Sequence, residues 1–320
     1  MIQLSNKIKS NGDYFSSGWI CINKPANMSS FDVVKKLRRI LSIKKLGHAG
    51  TLDPLATGIL PIAFGNATKT IPYLVSSKKK YRFSILWGVR TMSHDLEGKI
   101  IERSDFIPTK EDILDVISKF KGEIYQRPPK YSAVKVDGQR AYKLAREGID
   151  FCIKEKKVKL HDLMLLDHKT DKTEFMASVG KGFYIRSLAR DMCDKIGALG
   201  VICSLERFEL GHFSLEDAFS LETIEKLVHS APAGMVGGNL LIPLSKVLDD
   251  IPALLISNKE AKRIQQGQSF YNDDLHKNSK LGSDVLLLKD KRPIGLATVC
   301  ENSFKPKKVF SEEIFNLRSI

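Results

Sequence analysis

Long apolar runs are missing from this 320-residue chain, and none approaches the roughly 18 residues that a helical membrane span requires. The opening stretch, MIQLSNKIKSNGDYF, has no apolar h-region, so no secretory leader is expected. Cysteine is sparse. Its five copies (Cys21, Cys152, Cys193, Cys203 and Cys300) are odd in number, scattered, and form no Cys-x-x-Cys pair. That argues against a zinc site or a disulfide framework and favours a reducing cytoplasm. No repeat, low-complexity tract, P-loop or dinucleotide fingerprint interrupts the chain. Negative charge is also short: 37 Asp+Glu face 51 Lys+Arg, a net +14. An excess of that size suits a polyanion such as nucleic acid, although it also serves solubility. What is present is an ordinary globular composition, 42% hydrophobic and 28% charged, which excludes disorder and collagen. At roughly 150 residues per domain, the length suggests about two domains.

Residues 18–23 read as a buried strand ending at Lys24-Pro25. Ser29-Ser30-Phe31-Asp32 is a helix start signal, after which Val33, Val34, Leu37, Ile40 and Leu41 share one helical face. Tyr81, Phe83, Ile85 and Trp87 alternate as in a strand. A second capped amphipathic helix is expected over 109–120, strands over 160–166 and 173–179, and a helix over 185–196 stopped by Gly197. Strand pairs mixed with helices indicate an α/β (α+β) body with antiparallel pairing. The Pro- and Gly-containing stretch 231–238 reads as a linker. Beyond it, Ser257-x-x-Glu260 opens a short helix, and 285–288 with 294–299 form a hairpin. These features predict a catalytic body over 1–249 and a small, mostly β domain over 250–320.

The densest chemistry lies in Gly47-His48-Ala49-Gly50-Thr51-Leu52-Asp53-Pro54-Leu55-Ala56-Thr57-Gly58, where turn-forming residues surround one imidazole and one carboxylate. By itself an Asp-Pro pair more often caps a short helix, and a lone loop histidine is more often a satisfied polar group. The rest of the chain shifts that balance. Lys80-Tyr81 opens a strand. Pro128-Pro129 and Tyr131-Ser132-Ala133 form a rigid loop, followed by basic and aromatic groups suited to RNA. Tyr184-Ile185-Arg186-Ser187-Leu188-Ala189-Arg190-Asp191 then begins a helix.

In these motifs, with Lys24-Pro25, the sequence resembles the bacterial tRNA pseudouridine-55 synthases, the TruB family, in order from about residue 18 to 213. A looser resemblance to the PUA-type RNA-binding module covers about 250–315. The resemblance implies a pseudouridine synthase fold: a central, mainly antiparallel mixed sheet flanked by helices, plus a small PUA-like domain. It also implies isomerisation of a uridine in the tRNA T-loop to pseudouridine, with no cofactor and no metal. The C1′–N1 bond breaks, the uracil rotates, and C1′ joins C5. The partner implied is tRNA, through its T-loop and T-arm; a monomer without an obligatory protein partner, in the cytoplasm, is expected.

On this resemblance Asp53 is the essential carboxylate, whether it attacks C1′, attacks C6 or removes a sugar proton. Arg186 is expected to hold it ionised and oriented. Tyr81 is expected to stack on the uracil. A uridine in a folded loop must be flipped out, and His48 is expected to fill the vacated space. Lys24, Lys80, Tyr184 and Leu205 are expected at the substrate. Three positions depart from the family pattern: Met92 replaces an aspartate, Phe183 a common threonine and Glu206 a usual arginine, changes expected to alter RNA grip and spare catalysis. The competing readings are the related guide-RNA-dependent pseudouridine synthase and a non-catalytic tRNA-binding or folding factor.

Overall fold

The computed structural model describes residues 9–10, 13–14, 17–230, 240–242, 244–277, 279–290 and 292–310. The expected linker at 231–238 therefore lies outside the described residues. In chain order the body comprises β1 (Gly18–Lys24), α1 (Ser30–Leu41), β2 (Thr57–Phe64), β3 (Lys79–Trp87), α2 (Lys110–Ser118), β4 (Gly122–Gln126), β5 (Lys156–His168), β6 (Lys172–Val179), α3 (Ile185–Ile196), β7 (Gly200–Leu210), β8 (Ala218–Phe219) and α4 (Leu221–Ser230). Among the described residues the largest sheet has ten strands, with a spine ordered β8-β1-β2-β7-β3-β6-β5-β4. Its pairings are antiparallel except β8 with β1 and β7 with β2. The mixed, mainly antiparallel sheet and its flanking helices agree with the expected fold.

The helices start where side chains can cap them. Ser29 accepts from the Asp32 amide at the head of α1, and Thr109 forms a reciprocal box with Asp112 at the head of α2. Val33, Val34, Leu37, Ile40 and Leu41 are all buried, joining α2, α3 and α4 over one face of the sheet. The period of two along β1 divides its side chains: Ile20 and Ile22 enter that core, whereas Trp19 and Cys21 enter a second one on the opposite face.

The second core continues into a four-stranded sheet of β9 (Ala253–Leu255), β10 (Asp284–Lys289), β11 (Arg292–Cys300) and β12 (Ser303–Val309), with α5 (Asn258–Gln265) beside it. The Ser257–Glu260 capping box forms as its spacing predicts. Polar links also cross the seam. Tyr73 donates to Asp284 at 3.0 Å, and Lys69 Nζ donates to the Val309 carbonyl at 2.8 Å.

Gly58 explains how β2 and β7 approach so closely. Its φ is +95°, and a Cβ there would lie 2.2 Å from the Arg207 carbonyl oxygen, so only glycine fits.

Candidate active site

Asp53 is placed by tethers on both sides of it. The hydroxyl of Ser30, buried in the first turn of α1, donates to the Leu52 carbonyl at 3.0 Å and accepts from the Leu52 amide at 2.8 Å. Behind the loop, Lys24 is fully buried, and its ammonium donates to the carbonyls of Pro25, Met28 and Pro54 at 2.9, 2.6 and 3.0 Å. No helix follows Pro54. The chain turns instead, with the Ala56 amide donating to the Asp53 carbonyl at 3.0 Å.

Arg186 reaches this carboxylate from the first turn of α3. Its Nε donates to Asp53 Oδ2 and its Nη2 to Oδ1, both at 2.8 Å, in a two-pronged fork. The other donors are also engaged: Nη2 with the Tyr131 carbonyl at 2.9 Å, Nη1 with the Ser93 carbonyl at 3.2 Å, and Nη1 with Asp95 Oδ2 at 3.4 Å. One guanidinium is thus shared by two carboxylates. The Asp95 side chain is 2% exposed and that of Asp53 31%, so Asp53 alone of the two is open to an incoming group. Burial raises the Asp95 carboxyl above its ordinary range, against the pull of the Ser93 hydroxyl, Arg186 and the Glu97 amide.

Two clefts meet at this pair. The smaller, about 260 Å³, is lined by Tyr81, Tyr184, Leu205, Lys79 and Arg207 together with Asp53 and Arg186. The larger, about 610 Å³, is lined by His48, Phe31, Met92, Tyr131, Tyr142 and Arg146 together with the same pair. Phe31, Met92 and Tyr142 are 67%, 51% and 43% exposed, an unusual density of uncovered large side chains along one rim. His48 sits on a short strand, Leu46–His48, hydrogen-bonded to β2. Burial, then Arg207, lowers its pKa, so the ring is neutral near pH 7. Its Nδ1 is buried with no hydrogen-bond partner among the described residues. Burial also pushes the Tyr184 hydroxyl up, which keeps it protonated.

The structure therefore brings Asp53, Arg186, Tyr81, Tyr184 and Leu205 around one cleft and His48 into the adjoining one. It does not bring Lys24 or Lys80 to either. Lys24 lies beneath the Asp53 loop, and Lys80 pairs with Glu209 at 2.9 Å on the side of β3 away from Tyr81. Strand alternation explains the second case: Lys79, two residues before Tyr81, shares its face. Asp95, Arg207 and Gln126 were not singled out by sequence reasoning. Gln126 is 1% exposed; its amide donates to the Tyr184 carbonyl at 3.0 Å and accepts from the Tyr184 amide at 2.8 Å, fixing the chain just before Arg186. The phase of the Tyr81 strand pointed to Lys79, whereas no local pattern marks Gln126.

A sheet of this topology with a clamped aspartate beside an aromatic cleft defines a catalytic class, and comparison with known proteins specifies it. Residues 38–185 match the family described as TruB family pseudouridylate synthase (N terminal domain). The tRNA pseudouridine synthase B of Caulobacter sp. (strain K31) is 46% identical over 254 residues, covering 79% of this chain and 81% of that protein. The protein of the same name from Rhodospirillum rubrum is 41% identical over 298 residues, covering 91% and 96%. Among solved structures, one described as a Cbf5-Nop10-Gar1 complex superposes with a TM-score of 0.73 at 21% identity, covering 93% of this chain and 86% of that chain, a likeness of fold. The chain belongs to the TruB family of pseudouridylate synthases.

Proposed function

We propose that the protein isomerises uridine 55 in the T-loop of tRNA to pseudouridine, with Asp53 as the essential carboxylate. The observation that carries this reading is the Arg186 fork on Asp53 at the wall of the cleft that holds Tyr81. Isomerisation consumes nothing external, so the protein must supply an anion of fixed orientation, a surface for the detached uracil, and shelter from water. Asp53 provides the first. Tyr81 and Leu205, which are both buried at the cleft, provide the second. Tyr184 closes the same wall.

His48 belongs to the flipping step. A neutral planar ring in the adjoining cleft can occupy the stack that the target base leaves, without competing for Asp53. Lys24 acts through the loop, holding the Pro54 carbonyl beside Asp53. Residues 250–320 serve in this reading as a PUA-like RNA-binding domain, and the protein works in the cytoplasm as a monomer on free tRNA.

The test is incubation of purified protein with unmodified tRNA transcript, mapping pseudouridine at single-nucleotide resolution, with Asp53→Asn alongside. One pseudouridine at position 55, absent with the variant while tRNA affinity stays within a few-fold, is the expected outcome. Tight binding without isomerisation would leave an RNA-binding factor. Activity only in the presence of a guide RNA would place the protein with the guide-dependent enzymes.

A further inference from the structure

Buried cations in proteins are normally matched by an acid or by a ligand, because removing a charge from water is costly. Two residues of the smaller cleft have no such match among the described residues. Lys79 is 7% exposed and Arg207 1%. Their side chains donate only to backbone carbonyls, Lys79 to Val75 and Ser77 and Arg207 to Ile59 and Gly50, and neither meets a carboxylate among the described residues. Asp53 stands in the same cleft but is held by Arg186.

The two cations flank the aromatic ring of the site. Arg207 lies directly opposite Tyr81 across the β7–β3 pairing, and Lys79 precedes Tyr81 by two on the same face. Both keep donor capacity. The ammonium has three hydrogens and two protein acceptors, and Arg207 Nη1 has no acceptor among the described residues. The lack of a side chain at Gly50 keeps space beside that nitrogen, since a Cβ there would sit 3.1 Å from it. Burial, followed by the charges of Arg207 and Lys181, lowers the Lys79 pKa to about 8, which still leaves the ammonium mostly protonated at neutral pH. Uracil is neutral and would not offset two buried charges. The ionised part of a nucleotide is its phosphate.

We propose that Lys79 and Arg207 form an anion subsite that takes a phosphate flanking the uridine being isomerised. The inference rests on the cleft being the uridine pocket, and it adds a charge-matched hold on the backbone of the extruded nucleotide. That hold would operate only once the base has entered, so it would favour the flipped state over the stacked one.

The test uses unmodified T-arm stem-loop RNAs in which one phosphate is replaced by a neutral methylphosphonate. The replacement is placed 5′ to the target uridine, 3′ to it, or in the distant stem. Affinity and single-turnover rate are read separately, for wild type and for Lys79→Met. One flanking replacement should cost the wild type about 10- to 100-fold in affinity relative to the stem replacement. Lys79→Met should lose little more when given that same RNA, because both partners of one contact are then gone. Equal losses at flanking and stem positions, or losses that multiply in the variant, would overturn the subsite. Should Lys79→Met fail to fold, the wild-type RNA series decides by itself. A flanking effect on affinity without isomerisation would sink the reaction and keep the subsite, whereas isomerisation without a flanking effect would do the reverse.

Discussion

At the scale of single residues, the site depends on a planar cation. Arg186 presents two parallel donors to Asp53 while its other nitrogen holds the Ser93 carbonyl and faces Asp95. A lysine offers a point charge and cannot occupy those directions together. Arg186→Lys should therefore lower the single-turnover rate by at least about a hundredfold while tRNA affinity stays within a few-fold. Near-normal turnover in that variant would remove the orienting role. The Asp53–Arg186 pairing was legible in the sequence because both residues stand in long motifs. Asp95 was not: its second contact to the same guanidinium depends on a turn that brings residues 93–95 under α3, which no local pattern encodes. Lys79 and Lys80 differ only in strand phase, and the phase of Tyr81 was the available signal.

The same turn carries a pH dependence. His94 has a φ of +61°, and burial, followed by the charges of Arg190, Arg186 and Arg90, pushes its pKa down to about 4. The unfolded chain then binds more protons than the folded one between about pH 6.5 and 4, so stability falls as pH drops through that window. At pH 5 this amounts to roughly 2 kcal/mol for such a shift. Asparagine tolerates the left-handed backbone and does not titrate. His94→Asn should thus fold at neutral pH and lose less stability than wild type between pH 7 and 5 in denaturant melts. Parallel losses in the two proteins would assign the acid sensitivity to other groups.

At the scale of elements, α1 supports the loop that bears Asp53. The Ser30 hydroxyl serves the amide and the carbonyl of Leu52 together. Ser30→Ala leaves both without that partner in a buried setting and should cost about 1–3 kcal/mol. It should also reduce turnover by tenfold or more, since the neighbouring carboxylate loses its anchor; an unchanged rate in a destabilised protein would separate loop rigidity from catalysis. Helices were the most legible elements, because Ser29, Thr109 and Ser257 announce their starts and the apolar spacing fixes their inner faces. The central strands β2 and β7 were not. β2, Thr-Gly-Ile-Leu-Pro-Ile-Ala-Phe, is buried on both faces and shows no alternation. β7 carries Glu206, Arg207 and Glu209 and two register irregularities, which break the period a strand reading needs.

At the scale of the whole molecule, the small sheet supports the body as well as extending its surface. One apolar cluster takes in Trp19, Leu74 and Phe213 of the body and Val285, Leu296 and Phe304 of the C-terminal region. Ending the chain at residue 249 would uncover part of that cluster, so the truncated protein should melt at a lower temperature. If the region also contacts tRNA, its loss should weaken affinity and flatten the dependence on salt, by about 0.7–0.9 in log–log slope for each phosphate contact removed. Truncation alone cannot separate these effects, because a loosened body would bind poorly for a different reason. Reversing Lys305 and Lys308 to glutamate separates them: neither side chain forms an ion pair among the described residues, unlike Lys307, which is bound to Asp284 at 2.6 Å. The double variant should keep the wild-type melting temperature and saturated single-turnover rate yet show the flatter salt slope. A full wild-type slope in that variant, with affinity lost only on truncation, would mean that the C-terminal sheet serves the enzyme chiefly by completing that apolar cluster.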